Sequence, residues 1–236
     1  MRRLFKTILV AIAPIVALAT MAPHVVPNRA EAAQAPAQPI RILAFGDSLT
    51  QGYGLAPAMD FPDRLQRALK ARNLDVTIVN AGLSGDTSAG GLARIDWSLG
   101  DAKNTPDAAI VELGANDGLR GLSPVAMEKN LDAILSKLKA RNIPVLFAGM
   151  KVPRNLGPQY VAEYDAVFPR LAKKYNVLFY PFFLDGVVLD PALMQPDHLH
   201  PNSQGVDAIV TRITPLTLQL IQQVQTQRAG AQTPRP

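Results

Sequence analysis

Short, mostly apolar segments alternate with longer amphipathic segments along most of this chain. The apolar segments are rich in β-branched residues and cover residues 40–45, 76–79, 108–113, 144–149 and 177–180. Short runs of this kind are typical of strands that are buried on both faces. The pattern therefore predicts five buried strands.

The segments between these strands have helical spacing. In the first of them Phe61, Leu65, Ala68 and Leu69 recur at intervals of three and four residues, which places them on one face of a helix. Ser123 followed by Pro124 is typical of a helix start. Prolines 169 and 215 are expected to kink or split the helices that contain them. The predicted helices cover residues 61–72, 87–99, 124–141, 159–175 and 203–227.

Buried strands that alternate with helices predict an α/β fold. The expected architecture is a three-layer α/β/α sandwich around a parallel five-stranded sheet, with right-handed crossovers. Ligands bind such folds at the carboxyl ends of the strands. The loops that begin near Gly46, Asn80, Gly114, Gly149 and Tyr180 are therefore where functional residues are expected.

The first residues have the composition of an export signal. A basic start with Arg2, Arg3 and Lys6 precedes an apolar run and a site of small residues. This order predicts a secretory signal peptide over residues 1–33, and hence a periplasmic or secreted protein without a stable membrane anchor after cleavage. The alternative is an uncleaved anchor, because the run is nearly long enough to span a membrane. Pro14 and the alanine-rich exit favour cleavage.

The remaining residues are expected to form a single domain. Residues 34–39 are predicted to be a flexible lead-in, residues 40–227 the folded domain and residues 228–236 a disordered tail. Hydrophobic residues make up 48% of the chain and charged residues 18%, which is enough to build a core. The domain is expected to act as a monomer.

The charge of the chain argues against a nucleic-acid partner. The formal net charge is +5, but the predicted signal carries +3 of it, which leaves about +2 without a clustered basic stripe. The chain has no cysteine, which excludes disulfides, a thiol nucleophile and a cysteine zinc site. No metal or other cofactor is expected.

The histidines restrict where a general base can lie. There are three, and His24 falls within the predicted signal, which leaves His198 and His200. Asp197 precedes His200 by three residues, so the two can meet across one turn, whereas the neighbours Asp197 and His198 point apart. A carboxylate that orients an imidazole is what a serine nucleophile needs. The alternative is an ordinary polar surface loop.

A serine follows the first predicted strand, in Gly46-Asp47-Ser48-Leu49. Ser48 would begin a helical segment with its backbone N–H free to bind an anion. The Gly-x-Ser-x-Gly nucleophile elbow is absent, because Thr50 occupies the second glycine position. The alternative is a strand-end turn with a polar cap.

Two further strand ends carry possible donors for an oxyanion. Residues 80–86 include Gly82 and Gly85, and residues 114–118 place the amide of Asn116 in the next loop. Backbone and amide N–H groups of this kind stabilise the negative charge that develops during acyl transfer.

These segments together resemble the GDSL-type, or SGNH, hydrolases, and more narrowly their bacterial periplasmic acyl-thioesterase, arylesterase and lysophospholipase branch. The resemblance extends from about residue 40 to residue 224, over blocks at 46–49, 80–87, 111–121 and 197–202. It implies a flavodoxin-like SGNH hydrolase fold and catalysis by Ser48, Asp197 and His200. It also implies an oxyanion hole formed by the Ser48 N–H, the Gly85 N–H and the Asn116 side chain.

Two residues depart from the pattern of that family. Ala115 stands where a second glycine is common, and His198 stands where glycine is usual in this branch. His198 is expected at the rim of the site, where its bulk would narrow the opening or its imidazole alter the pH profile.

The resemblance to this family implies that apolar residues in loops near strand ends line a groove for an acyl chain. The candidate substrate-binding residues are Met150, Val152, Pro153 and Leu156, and residues 187–189 are apolar as well. The expected substrate is a small ester or thioester with an acyl chain. Ordinary packing beneath long loops would give the same pattern. A carbohydrate acetylesterase with the same triad and a non-catalytic exported binding protein are the alternative functions.

Overall fold

The structure is a computed structural model that describes residues 38–101 and 104–232. The predicted signal peptide, most of the predicted lead-in and the last residues of the predicted tail lie outside these ranges. None of the helices in these ranges has the length and hydropathy of a membrane-spanning segment.

The five predicted strands form one parallel sheet. They are β1 (Ile40–Gly46), β2 (Val76–Gly82), β3 (Ala108–Glu112), β4 (Val145–Ala148) and β5 (Leu178–Tyr180). Their order across the sheet is β2-β1-β3-β4-β5. All residues of β3 and β4 are buried, as expected for strands covered on both faces.

Helices follow each of the strands in the chain, and the longest one comes after the last strand. They are α1 (Ser48–Gln51), α2 (Phe61–Lys70), α3 (Ser88–Leu99), α4 (Ala115–Leu119), α5 (Pro124–Ala140), α6 (Pro158–Tyr175) and α7 (Ser203–Gln232). Helix α2 packs on α7, while α5 packs on both α3 and α6. The helices therefore flank the sheet as the predicted three-layer sandwich, and Ser123 caps α5 as predicted.

The carboxyl end of the chain differs from the prediction. Helix α7 runs through Pro215 without splitting and continues to Gln232, so residues 228–232 are helical rather than a disordered tail. Arg228 accounts for the longer helix, because its guanidinium donates to the Asp107 carboxylate at 2.7 Å and to the carbonyls of Gln38 and Pro39. Helix α6 likewise contains Pro169 as a single helix.

The topology explains where the site lies. Strand β1 pairs with β2 on one side and with β3 on the other, so the chain connections after β1 and after β2 lead to opposite sides of β1. The carboxyl ends of β1 and its two neighbours therefore border a crevice at a switch point of the sheet. The loops after these strands carry Ser48, Gly85 and Asn116.

Candidate active site

The candidate nucleophile lies in a tight turn between β1 and α1. Asp47 caps α1, since its Oδ1 accepts a hydrogen bond from the Leu49 N–H at 3.0 Å. Gly46 makes the turn possible, because a Cβ there would lie 2.0 Å from Thr50 Oγ1. Ser48 is thereby held as the first residue of α1, with 9% of its surface exposed.

The candidate base and its carboxylate meet across one turn, as their spacing predicted. Asp197 Oδ2 lies 2.6 Å from Nδ1 of His200, and its Oδ1 accepts from the backbone N–H groups of Leu199 and His200. Partial burial acts to raise the pKa of Asp197, but the His200 ring and these N–H groups outweigh it and lower the pKa to about 2. Asp197 is thus an ionised carboxylate at neutral pH.

The loop around His200 is held by backbone contacts. Met194 and Pro201 form an antiparallel bridge, and the Gln195 N–H donates to the His200 carbonyl at 2.8 Å. His198 lies at the tip of this loop with φ of 55°, a left-handed conformation that glycine adopts more easily. Its side chain is exposed and borders the cavity, which agrees with the rim position expected for it.

Ser48 and His200 are brought together from positions 152 residues apart. The Ser48 Oγ lies 2.9 Å from Nε2 of His200, a hydrogen-bond distance. The ring of Tyr53 packs at 4.7 Å, centroid to centroid, from the imidazole. This arrangement can move a proton from the hydroxyl to the imidazole, because the opposite ring nitrogen faces the Asp197 carboxylate.

Gly85 and Asn116 border the same cavity. Gly85 has φ of 77°, and its carbonyl accepts a hydrogen bond from the Arg120 guanidinium at 2.7 Å. Asn116 lies in the first turn of α4, and its Nδ2 donates to Asp47 Oδ2 at 3.0 Å and to the Asp86 carbonyl at 2.9 Å. The structure therefore brings all the residues predicted for the oxyanion hole to one end of the sheet.

Two buried carboxyl groups beneath Ser48 were not predicted. Asp47 is completely buried, and burial raises its pKa to about 6 against the effect of its hydrogen bonds. Glu112, at the end of β3, accepts from Thr50 Oγ1 at 2.9 Å. Burial, and then the charge of Asp47, hold the pKa of Glu112 well above its ordinary value. A charged residue within an apolar strand was the available sequence signal.

Arg94 was also missed, and it joins the ends of β1 and β2. Its guanidinium donates to Asp86 Oδ2 at 2.7 Å and to the carbonyls of Ala81 and Gly46 at 2.8 Å each. The same group lies 4.2 Å from the centroid of the Phe45 ring. This arginine fixes the loop that carries Gly85 relative to the loop that carries Ser48.

The cavity beside Ser48 has a volume of about 310 Å³. Most of its lining is apolar, and the predicted groove residues Met150, Val152 and Pro153 belong to it. Leu156 does not line the cavity. It lies in the 3-10 turn Arg154–Leu156, which is outside the cavity lining. Further apolar lining comes from residues that the sequence did not single out, namely Leu49, Tyr53, Leu119, Phe182, Leu184 and Leu199.

Residues 38–101 and 104–232 contain no cluster of three or more histidine, aspartate or glutamate side chains that could hold a metal ion.

Comparisons with known proteins place the chain in a family. A sequence model of the GDSL-like Lipase/Acylhydrolase family matches residues 44–208. The chain is 38% identical to an arylesterase of Vibrio mimicus, over 70% of this chain and 82% of that protein. It is 40% identical to thioesterase 1/protease 1/lysophospholipase L1 of Escherichia coli K12, over 68% of this chain and 75% of that protein.

A solved structure agrees with these relatives. The crystal structure of AlinE4, a SGNH-hydrolase family esterase, superposes with a TM-score of 0.67 at 45% identity, covering 78% of this chain and 98% of that chain. The region matched by the family model, residues 44–208, contains all the candidate residues and most of the sheet that positions them. The chain is therefore an ester-hydrolysing enzyme that belongs to the GDSL-like lipase/acylhydrolase family.

Proposed function

We propose that this protein is an exported serine hydrolase that cleaves acyl esters or thioesters, with Ser48 as nucleophile, His200 as general base and Asp197 as the residue that orients His200. The observation that supports it most is the distance of 2.9 Å between Ser48 Oγ and His200 Nε2 beside a mostly apolar cavity. The Asp197 carboxylate at 2.6 Å from the other ring nitrogen favours the required tautomer.

The reaction would proceed in two acyl transfers. Ser48 Oγ attacks the substrate carbonyl carbon while His200 Nε2 takes the hydroxyl proton. The tetrahedral intermediate collapses as His200 returns the proton to the leaving alcohol or thiol, which leaves an acyl-serine. Water, deprotonated by His200, then attacks the acyl-serine. The second tetrahedral intermediate collapses as His200 gives this proton to Ser48 Oγ, which releases the acid and restores the enzyme.

The oxyanion would be bound by donors from three strand ends. We assign them to the Ser48 N–H, the Gly85 N–H and Nδ2 of Asn116. The N–H of Ser48 lies in the first turn of α1, where helix N–H groups have no partner within the helix. Preorganised donors of this kind are typically worth a factor of about 10²–10³ in rate each.

The cavity favours substrates with an acyl chain. Its apolar lining would take up methylene groups, each of which contributes about 0.8 kcal/mol when buried. The names of the relatives, arylesterase and thioesterase/lysophospholipase, are consistent with aryl esters, acyl thioesters and lysophospholipids as candidate substrates. Sugar acetates would use little of this apolar lining, so we expect them to be poorer substrates.

Activity measurements on variants test this assignment. Ser48→Ala is expected to lower kcat/KM for p-nitrophenyl esters by about 10⁴ or more with the fold intact. Ser84 is the rival hydroxyl in the cavity lining, and Ser84→Ala is expected to stay within about tenfold of the wild type. Retained activity in Ser48→Ala, with loss in Ser84→Ala, would move the nucleophile to Ser84.

A substrate panel separates the candidate activities. The wild-type enzyme is compared on p-nitrophenyl acetate, longer p-nitrophenyl esters, acyl thioesters, a lysophospholipid and acetylated xylan. We expect kcat/KM to rise with acyl length until the cavity is filled. Highest activity on acetylated xylan would contradict an acyl-chain site and favour a carbohydrate acetylesterase.

Export has its own test. The basic and apolar start of the chain is the basis for proposing cleavage after residue 32 or 33. Mass spectrometry of the protein from the periplasm or medium is expected to find a mature amino terminus near residue 33 or 34. Full-length protein confined to the membrane fraction would favour the uncleaved anchor.

A further inference from the structure

Asp47 connects the turn that carries Ser48 to the loop that carries Asn116. Its side chain is completely buried, and both carboxylate oxygens accept hydrogen bonds. Oδ1 accepts from the Leu49 N–H at 3.0 Å, and Oδ2 accepts from Asn116 Nδ2 at 3.0 Å. One carboxylate thus holds two elements that are 69 residues apart in sequence.

The amide of Asn116 has its orientation fixed by these partners. Its two hydrogens face two acceptors, Asp47 Oδ2 and the Asp86 carbonyl. If the amide turned over, its oxygen would face the Asp47 carboxylate, and a buried pair of acceptors without a proton between them is unfavourable. Asp47 therefore keeps the donor side of the amide in place.

The backbone of Asp47 is held in turn by Glu112. The Asp47 N–H lies 3.5 Å from Glu112 Oε2, and the same oxygen accepts from the Thr50 hydroxyl at 2.9 Å. Gly46 permits this close approach, since a Cβ there would lie 2.6 Å from the Glu112 carbonyl oxygen. The carboxylate of Asp47 consequently has little freedom to follow Asn116 if that loop moves.

We propose that Asp47 is a positioning residue for the proposed hydrolysis, which aims the Asn116 amide at the oxyanion while it fixes the turn of Ser48. The charged bond to Asp47 holds the amide, and the hydrogen directed at the neutral Asp86 carbonyl is the one shared with the developing oxyanion. This inference rests on the proposed function, because it acts through a residue assigned to the oxyanion hole.

The substitution Asp47→Asn tests it with little change in shape. An asparagine can still accept from the Leu49 N–H and cap α1, but its amide nitrogen would face the amide nitrogen of Asn116. Asn116 must then turn its oxygen towards the oxyanion. We expect kcat to fall by about 10²–10³, as for loss of an oxyanion donor, while KM changes by less than about threefold.

A double-mutant cycle distinguishes positioning from a general structural role. If Asp47 acts through the amide of Asn116, then Asp47→Asn has little further effect once Asn116→Ala has removed that amide. The double variant is expected to have nearly the kcat of Asn116→Ala alone. The proposal would be overturned if the reductions in kcat of the two single variants multiplied in the double variant, or if Asp47→Asn had the kcat of the wild type.

Two further variants secure the result. Asp60→Asn is the matched control, because Asp60 caps α2 by accepting from the Asp63 N–H at 2.9 Å and lies outside the cavity lining. Its kcat is expected to equal that of the wild type. If Asp47→Asn does not fold, Asp47→Ser keeps a capping hydroxyl without Oδ2, and the same cycle with Asn116→Ala applies.

The proposed function and this inference can fail separately. Full activity in Ser48→Ala would remove the proposed nucleophile and with it the basis of the inference. Loss of activity in Ser48→Ala, together with multiplying losses in the Asp47 and Asn116 cycle, would contradict only the positioning role.

Discussion

Glu112→Gln should change how the stability of the protein depends on pH. Glu112 is 1% exposed, and its Oε1 has no hydrogen-bond partner among the described residues. Burial holds the pKa of Glu112 well above its ordinary value of 4.5 in the folded protein, whereas the unfolded chain exposes it to water. Glutamine has nearly the same shape but cannot ionise.

The sign of the effect follows from the raised pKa. Below about pH 4.5 the carboxyl is protonated in both states, and its contribution to stability is fully present. As the pH rises towards the folded pKa, unfolding releases a proton, and the free energy of unfolding falls by about 1.4 kcal/mol per pH unit. Asp47, whose pKa is raised to about 6, adds a further loss that is complete near that pH.

Glu112→Gln should remove the contribution of Glu112 to the fall in the free energy of unfolding with pH. The glutamine amide gains an N–H group without a partner, so the variant starts less stable at pH 4.5. Because the contribution of residue 112 no longer falls with pH, the difference in the free energy of unfolding from the wild type should shrink by about 1.4 kcal/mol for each pH unit between about pH 4.5 and the raised folded pKa of Glu112.

Urea unfolding followed by circular dichroism at pH 5, 6, 7 and 8, at constant ionic strength, measures both curves. The matched control is Glu163→Gln, since Glu163 is an exposed glutamate on α6, where glutamine can also accept the hydrogen bond from Gln159 Nε2. The control should run parallel to the wild type. Parallel curves for Glu112→Gln as well would refute the reasoning, because they would mean that Glu112 ionises in the folded protein as it does in water.

Three further substitutions test other parts of the account. In Arg94→Lys the lysine cannot reach all three acceptors of the guanidinium. The free energy of unfolding, measured in urea, should therefore fall by about 2 kcal/mol, and kcat should fall because the loop that carries Gly85 becomes less fixed. His198→Gly should relieve the left-handed backbone and raise the free energy of unfolding by about 0.5–1 kcal/mol; a decrease would mean that the imidazole makes a stabilising contact. Gly46→Ala, whose Cβ would lie 2.0 Å from Thr50 Oγ1, should lower the free energy of unfolding by about 3 kcal/mol or prevent folding. The control Gly230→Ala, with open space around the added Cβ, should leave the free energy of unfolding nearly unchanged.

The strands could be predicted because the sheet is buried on both faces. Residues 108–113 are apolar at nearly every position, and the strand there is covered by helices on both sides. The predicted strand positions agree with the structure to within a few residues. The end of α7 could not be predicted in this way, because it depends on Arg228 reaching residues that are far away in sequence.

The candidate residues were predicted for a different reason. Asp197 and His200 are three residues apart, so local geometry alone predicts their contact, which the structure has at 2.6 Å. The approach of Ser48 to His200 depends on the order of the strands, which hydrophobic pattern does not reveal. That contact was expected from the resemblance to a family rather than from the residues alone.

The supporting groups escaped prediction because their roles arise only in the folded chain. Glu112 and Asp47 are brought together by the register of β1 against β3, in which Gly46 lies opposite Glu112. Leu156 is an apolar residue near a strand end that does not line the cavity. Its place on a 3-10 turn outside the cavity lining is a property of the loop backbone.

Covalent labelling by a fluorophosphonate probe tests the central claim most directly. The mature protein is incubated with the probe, and the adduct is located by peptide mass spectrometry. We expect one adduct per chain, on Ser48, which is lost in Ser48→Ala and forms far more slowly in His200→Ala. An adduct on Ser84, or ester hydrolysis that continues without any labelling of Ser48, would contradict it.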